Sequence, residues 1–451
     1  MRFVTRWLGF ALLVSSCAAV QARVYLGNES LAMRDFGTLR GKRVGLLTNP
    51  SGVDGRGRSV IDILHKSPKV NLVALFGAEH GVDGRVPAGK EFPNSTHRRT
   101  GLPIYSLYGP GPVRKPTPAM LKKIDCLVYD IQDTGARSYT FISTMGLCME
   151  ECGKAGVEFV VLDRPNPLGG DIIEGPMLNR EFSSFVGRVP MPMRHGLTLA
   201  EAARYLNREC GINADLHWVA MEGYRRGSLW PEHGRPWIPP SPNLPRYEGA
   251  LVYPGQVLLE GTTLSEGRGT TTPFELCGAP YIDPMALLNE LAEFEFDGLC
   301  ARPYRFEPTF QKFAQQSCGG LFLHPTNAST LRSYRFTVAM IGCIAKLWPE
   351  LRLVPTWTGG SCRIPLAKVR PTLPSGTRVC ELGYLASELR GPLVPDLDQD
   401  GGTPTIHENF FEFVERNDWD AGRRTFYLVD QIQQGKEYYI IPTTGTGLYR
   451  Y

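Results

Sequence analysis

From residue 42 onward, apolar and polar positions follow a repeated order of short apolar run, polar turn and helical spacing. Lys42 to Leu47 reads as a strand closed by Thr48-Asn49-Pro50-Ser51-Gly52, and Ser59 to His65 reads as a helix. Val70 to Phe76 is a strand running into Gly77-Ala78-Glu79-His80-Gly81, and Leu102 to Tyr108 is another. Thr117 and Pro118, an N-cap followed by a first-turn proline, open a helix to Ile124. Asp125 to Ile131 is a strand ending at Gln132-Asp133-Thr134-Gly135. A helix over Tyr139 to Gly153 and a strand over Val157 to Leu162 follow, the latter ending in Asp163-Arg164-Pro165-Asn166-Pro167.

Short apolar strands alternating with helices predict βα units on a parallel sheet, an α/β fold. Asn49, Glu79, His80, Asp130, Asp133 and Asp163 cluster at or just after the ends of predicted strands. In open α/β sheets ligands bind outside the carboxyl ends of the strands, so the site is expected there.

Residues 164–275 are loop-heavy, broken by a helix over Leu199 to Arg208 with Thr198 as N-cap and Glu201 completing a capping box. Long loops of this kind are usually functional. From about residue 281, Pro284 to Glu293 (helix), Gly320 to Leu323 (strand) and Thr337 to Leu347 (helix) predict a smaller α+β domain. The expected organisation is 1–22 signal segment, 23–275 parallel-sheet domain and 276–451 smaller C-terminal domain. The tail from Arg370 is polar and punctuated by Gly and Pro, with no specific reading.

Length and charge narrow the classes further. The 451 residues are 42% hydrophobic and 21% charged, a balance that buries large cores and excludes disorder as the main description. The net charge of +4 is too mild to imply nucleic acid. Arg2 and Arg6, the apolar Leu8 to Val14 and Val20-Gln21-Ala22 form a secretory signal, so export to the periplasm or beyond is expected. Val14-Ser15-Ser16-Cys17 also matches a lipobox, in which a lipidated Cys17 would tether the chain to a membrane. Setting Cys17 aside leaves ten of the 11 cysteines. Without any CxxC pair they read as buried thiols, or as one or two disulfides in an oxidising compartment.

Glu79-His80 lies between glycines directly after an apolar strand. A carboxylate backed by apolar side chains there is expected to have a raised pKa, suited to a general acid; the plain alternative is a loop carboxylate capping the next segment. Asp130 and Asp133 frame the next strand end and could supply a second carboxylate at glycosidase spacing. Alternatively Asp133 pairs with Arg137 to order the loop, and Asp163-Arg164 forms a structural ion pair. Arg268, between Gly267 and Gly269, offers a planar fork for a carboxylate, with a solvated loop charge as the alternative. Arg194-His195-Gly196 could add polar contacts, and Trp230, Trp237 and Tyr253 could stack on a sugar. The dinucleotide and phosphate-loop glycine motifs and the Gly-x-Ser-x-Gly elbow are absent, and no cofactor or metal is expected.

Several of these segments resemble one family. Gly77-Ala78-Glu79-His80-Gly81, Asp130-Ile131-Gln132-Asp133-Thr134-Gly135-Ala136-Arg137 with Tyr139-Thr140, and Asp163-Arg164-Pro165-Asn166-Pro167 carry the resemblance first. Arg194-His195-Gly196, Pro240-Ser241-Pro242-Asn243-Leu244-Pro245, Tyr253-Pro254-Gly255 and Ser265-Glu266-Gly267-Arg268-Gly269-Thr270 continue it in order. Together they are similar to the bacterial exo-β-N-acetylmuramidases, glycosidases that remove terminal N-acetylmuramic acid from peptidoglycan fragments. The resemblance implies a Rossmann-like catalytic domain, a smaller C-terminal domain and an active site between them. It implies Glu79 as principal catalytic carboxylate with His80 beside it, Asp130 and Asp133 as catalytic candidates, and a peptidoglycan-derived saccharide as substrate. Asn49, Arg137, Asp163, Arg194, His195, Asn243, Glu266 and Arg268 are the substrate-binding candidates, Arg268 for the lactyl carboxylate of muramic acid. The tail after about residue 370 departs from the family pattern. Two rivals stand beside this reading: a non-catalytic muropeptide- or sugar-binding protein, and a metal-dependent hydrolase using His80, His97, His195 and Asp133.

Overall fold

The computed structural model describes residues 23–109 and 114–348. Beyond them it describes the strands Leu353–Thr356, Arg378–Glu381, Leu385–Ala386, Leu389–Arg390, Asn409–Glu415 and Tyr438–Thr444, with residues 417, 418 and 421. The expected signal segment 1–22 with Cys17, the turn residues 110–112 and most of the tail lie outside the described residues.

Helix α1 (Gly27–Met33) precedes strand β1 (Arg43–Thr48), helix α2 (Val60–Lys66) and strands β2 (Asn71–Gly77), β3 (Ser95–Thr96) and β4 (Pro103–Ser106). Helix α3 (Pro118–Leu121), strand β5 (Cys126–Asp130), helix α4 (Thr140–Ala155), strand β6 (Glu158–Leu162), helix α5 (Leu199–Glu209) and strand β7 (Leu216–Val219) complete the first layer. The sheet order is β3-β4-β2-β1-β5-β6-β7, parallel throughout except for the antiparallel edge strand β3. Order reverses between β1 and β5, which opens a crevice at their carboxyl ends.

Local chemistry explains the helix starts. Ser59 and Thr117 accept from the amides of Ile61 and Met120, and Thr198 and Glu201 close the expected capping box. Helix α4 stops at Gly156, whose φ of 64° suits the left-handed cap. The central strands are buried on both faces, as a sheet covered by helices requires. Successive residues divide between two cores: Leu46, Val128 and Val160 pack toward α2, whereas Leu47, Tyr129 and Val161 pack toward α4 and α5.

Helix α6 (Tyr247–Gln256), strand β8 (Leu276–Ala279), helix α7 (Pro284–Leu291), strands β9 (Leu299–Phe306) and β10 (Cys318–Pro325) and helix α8 (Ser333–Leu347) form the smaller part, an antiparallel sheet ordered β8-β10-β9 with helices against it. Its apolar core is continuous with the α4 face of the large sheet, running from Met145 through Tyr253 and Phe274 to Leu321 and Met340. The chain around position 275 is therefore packed through.

Two elements depart from expectation. Residues 247–256 contain Pro254 and Gly255 and were expected as loop, yet they form α6. All of Gly249 to Gln256 are buried, and tertiary packing overrides the propensity penalty. Gly255 is required there, because a Cβ would sit 2.1 Å from the Ser333 carbonyl oxygen on α8. Strand β7 lacks an apolar run because it is a short edge with His217 and Trp218 exposed. The eight cysteines between residues 126 and 343 are free thiols.

Candidate active site

Five stretches of chain line a cavity of about 420 Å³, and three of them carry most of its polar groups. The first follows β2, where His80 (φ 70°) and Gly81 (φ 71°) both adopt left-handed backbone and turn Glu79 and His80 off the strand end. The second is the start of α4, contributing Ser138, Tyr139 and Thr140. The third runs from α6 to β8 and contributes Tyr253, Glu260, Arg268 and Phe274.

Glu79 is half-buried and accepts three hydrogen bonds. The Gly89 N–H donates to Oε1 at 2.9 Å, and the hydroxyls of Thr140 and Tyr108 donate to Oε2 at 2.5 and 3.4 Å. Burial, and then the Glu79 carboxylate itself, push the Tyr108 hydroxyl well above the usual range, so it stays a donor. The Arg114 guanidinium lies 4.0 Å over the Tyr108 ring. Thr140 is the first residue of the 16-residue α4, so the positive end of its dipole also faces the carboxylate. The His80 ring is buried and its Nδ1 lies 2.8 Å from the Val86 carbonyl oxygen; a carbonyl only accepts, so Nδ1 carries the proton and Nε2 is left as an acceptor.

Aromatic rings line the wall between the carboxylate and the guanidinium. Tyr139 meets Tyr253 edge-on at 5.7 Å, Tyr253 meets Phe274 at 4.8 Å, and Arg268 lies 5.1 Å over Phe274. The Tyr139 hydroxyl faces Ser241 and is buried without closing a hydrogen bond of standard geometry. Arg268 donates to Glu260 at 2.6 Å and lies 3.3 Å from Glu266. Burial opposes its charge, but those two carboxylates hold it above its ordinary pKa. Glu266 is buried behind Arg268 and also takes Lys312 at 3.2 Å.

Of the residues singled out from sequence, Glu79, His80, Arg268 and Tyr253 line this cavity, with Glu266 behind Arg268. The others are held elsewhere. Asp130 is fully buried, paired with Arg164 Nε at 2.5 Å and accepting from Asn28. This pairing replaces the alternative of an Asp163–Arg164 ion pair, and Asp130 lies off the cavity wall. Asp133 accepts from the Gly135 N–H at 2.6 Å and faces His195 Nε2 at 3.6 Å. Arg137 does not pair with Asp133; it donates to the carbonyls of Pro176 and Met191. Asp163 caps α5 through the Ala200 N–H, and burial raises its pKa to about 6.

Asn49 ties the β1 turn to the Pro240 carbonyl. Arg194 is buried against Glu174 and the carbonyls of Leu168 and Leu331, joining the two parts of the molecule. Asn243 is half-buried and off the cavity wall, and Trp230 and Trp237 pack on each other at 5.2 Å instead of presenting a sugar platform. His80, His97 and His195 are not brought together: His97 bonds Thr100, and among the described residues no cluster of three or more His, Cys, Asp or Glu is placed to hold a metal.

Sequence reading missed Tyr108, Thr140 and Glu260 as site residues. Thr140 had a signal, since it opens a helix next to the Asp-rich motif. Glu260 had only its place before Gly261.

Residues 44–248 match the model described as exo-beta-N-acetylmuramidase NamZ, N-terminal, and residues 251–369 match its C-terminal counterpart. Residues 402–451 match a GH3 family central domain. The chain is 44% identical over 332 residues to the peptidoglycan beta-N-acetylmuramidase NamZ of Bacillus subtilis, covering 74% of this chain and 80% of that protein. Crystal structures of two DUF1343 family proteins from Bacteroides fragilis superpose with TM-scores of 0.68 and 0.56 at 41% and 30% identity. Each match covers 73% of this chain and 84% of the other. Matches to both the N-terminal and the C-terminal family models, with 44% identity over most of the chain to a named relative, lead to a single assignment: the chain belongs to the exo-beta-N-acetylmuramidase NamZ family of glycosidases.

Proposed function

We propose that the protein is an exo-acting glycosidase that releases terminal β-linked N-acetylmuramic acid from peptidoglycan fragments, with Glu79 as the principal catalytic carboxylate. The observation that carries this reading is the seating of Glu79 on a cavity wall under the N-terminus of α4. In its protonated form Glu79 delivers a proton to the glycosidic oxygen as positive charge develops on the muramic ring. The carboxylate left behind gains the Thr140, Tyr108 and Gly89 donors and the helix dipole, which stabilise it more as the proton departs. Hydroxyls rotate, so Thr140 and Tyr108 can serve either protonation state.

Asp130 and Asp133 lie off the cavity wall, Asp130 paired with Arg164 and Asp133 accepting from the Gly135 amide and facing His195, so this reading gives them no part in the second half of the reaction. In this reading the substrate's own 2-acetamido oxygen attacks the anomeric carbon, as in substrate-assisted hexosaminidases, with retained configuration. Inversion would instead assign the step to a water held at His80 Nε2. Arg268 is the group suited to the lactyl carboxylate that distinguishes muramic acid from glucosamine. The same reading includes export, on the strength of the N-terminal signal pattern, with a lipidated Cys17 as its tethered variant.

The test is turnover of a chromogenic β-N-acetylmuraminide beside the matching glucosaminide, with wild type and Glu79→Gln. Release from the muraminide, lost by roughly 10²- to 10⁴-fold in the variant while binding persists, is the expected result. Near-full activity of Glu79→Gln would sink the assignment. A protein that binds muropeptides and turns over neither sugar would be the binding protein instead.

A further inference from the structure

The cation in this cavity is already occupied by a carboxylate of the protein. Arg268 donates Nη2 to Glu260 Oε1 at 2.6 Å, and both side chains face the cavity. The two carboxylates on Arg268 are unequal. Glu266 is 3% exposed and is anchored a second time by Lys312, whereas Glu260 is 41% exposed and Arg268 is its charge partner. Lys312 also bonds the carbonyls of Leu259, Glu260 and Leu264. The main chain at Glu260 is thereby clamped, and its side chain can leave by rotation alone. Glu260, Glu266, Arg268 and Lys312 together carry no net charge. A substrate carboxylate added to them would leave one negative charge in excess, whereas exchange for Glu260 leaves the balance unchanged.

Resting on the reading of this cavity as the muramic acid site, we infer that Glu260 is an internal competitor for the carboxylate subsite on Arg268. It holds and neutralises Arg268 in the free enzyme, yields that position to the acidic substituent of the sugar, and on return expels the free sugar acid after cleavage. A neutral sugar has no group to exchange with Glu260, so its binding does not depend on this residue. Glu260 is thus a specificity and release residue that makes no contact with the reacting atoms.

The test is titration of free N-acetylmuramic acid and free N-acetylglucosamine into wild type, Glu260→Ala and Glu260→Gln, paired with product inhibition of muraminide turnover. Expected is a roughly tenfold or greater tightening of N-acetylmuramic acid in both variants, seen as a lower Kd and a lower inhibition constant, with N-acetylglucosamine unchanged. Unchanged N-acetylmuramic acid affinity would overturn the inference. So would loss of kcat at unaltered affinity, which would move Glu260 into the chemistry. A wild type that neither cleaves the muraminide nor prefers the sugar acid would bring down the functional reading itself. A wild type that does both, with variants that do not tighten, would bring down only the role of Glu260.

Discussion

The Thr140 hydroxyl donates to Glu79 Oε2 across 2.5 Å, joining the first residue of a helix to a carboxylate that follows a strand 61 positions earlier. A hydroxyl and a helix N-terminus both favour negative charge on Glu79, so the contact is worth most once the proton has left. Thr140→Val keeps the shape and removes the donor. It should lower kcat roughly 10- to 100-fold with little change in KM, read by steady-state kinetics on the muraminide. An equal rise in KM with kcat intact would instead make Thr140 a ground-state contact.

Arg268 should govern the choice between acidic and neutral sugars. Arg268→Met should reduce kcat/KM for the muraminide by roughly 10- to 100-fold and leave the glucosaminide rate nearly unmoved. Arg268→Lys should restore part of the preference through charge without the fork. A parallel fall on both sugars would show that Arg268 only supports the cavity wall.

Asp130 belongs to stability. Asp130→Asn leaves Arg164, with a side chain 2% exposed, without its counter-charge. Removing one partner of a buried pair costs about 3–5 kcal/mol, so the urea midpoint should drop sharply. The folded fraction should still turn over substrate. Loss of kcat without loss of stability would return Asp130 to the chemistry.

Asp163 predicts a pH effect of defined sign. Burial raises its folded pKa to about 6, above its ordinary value of 3.8, so between those values the folded state binds more protons than the unfolded one. Stability from this group is present at low pH and falls as pH rises from about 4 through about 6. Asp163→Asn preserves an acceptor for the Ala200 amide and removes the ionisation. It should stabilise the protein at pH 7 by roughly 2–3 kcal/mol and hardly at all near pH 4, read from denaturant curves at both values. A variant less stable at pH 7 would show that the capping bonds need the charge.

The amino-acid pattern alone determined the βα order, the capping of α3 and α5, and the position of Glu79 and His80 at a strand end. These are local or periodic properties: burial on two faces writes a continuous apolar run, and a cap is legible within four residues. The motif string also carried the family. Tertiary structure decided which polar residues share a cavity. Asp130, Asp133 and Glu79 look alike in sequence, each at or just past the end of an apolar strand, but Asp130 pairs with Arg164 and Asp133 turns to the Gly135 amide and His195. Tyr108 and Thr140 reach Glu79 by packing between elements 29 and 61 positions apart in the chain, and Glu260 meets Arg268 only because the loop between α6 and β8 folds back. Helix α6 likewise exists because burial against α8 outweighs its Pro254 and Gly255. Such pairings depend on long-range contacts whose partners no local spacing records, and a charge shows its role only when its counter-charge is in place.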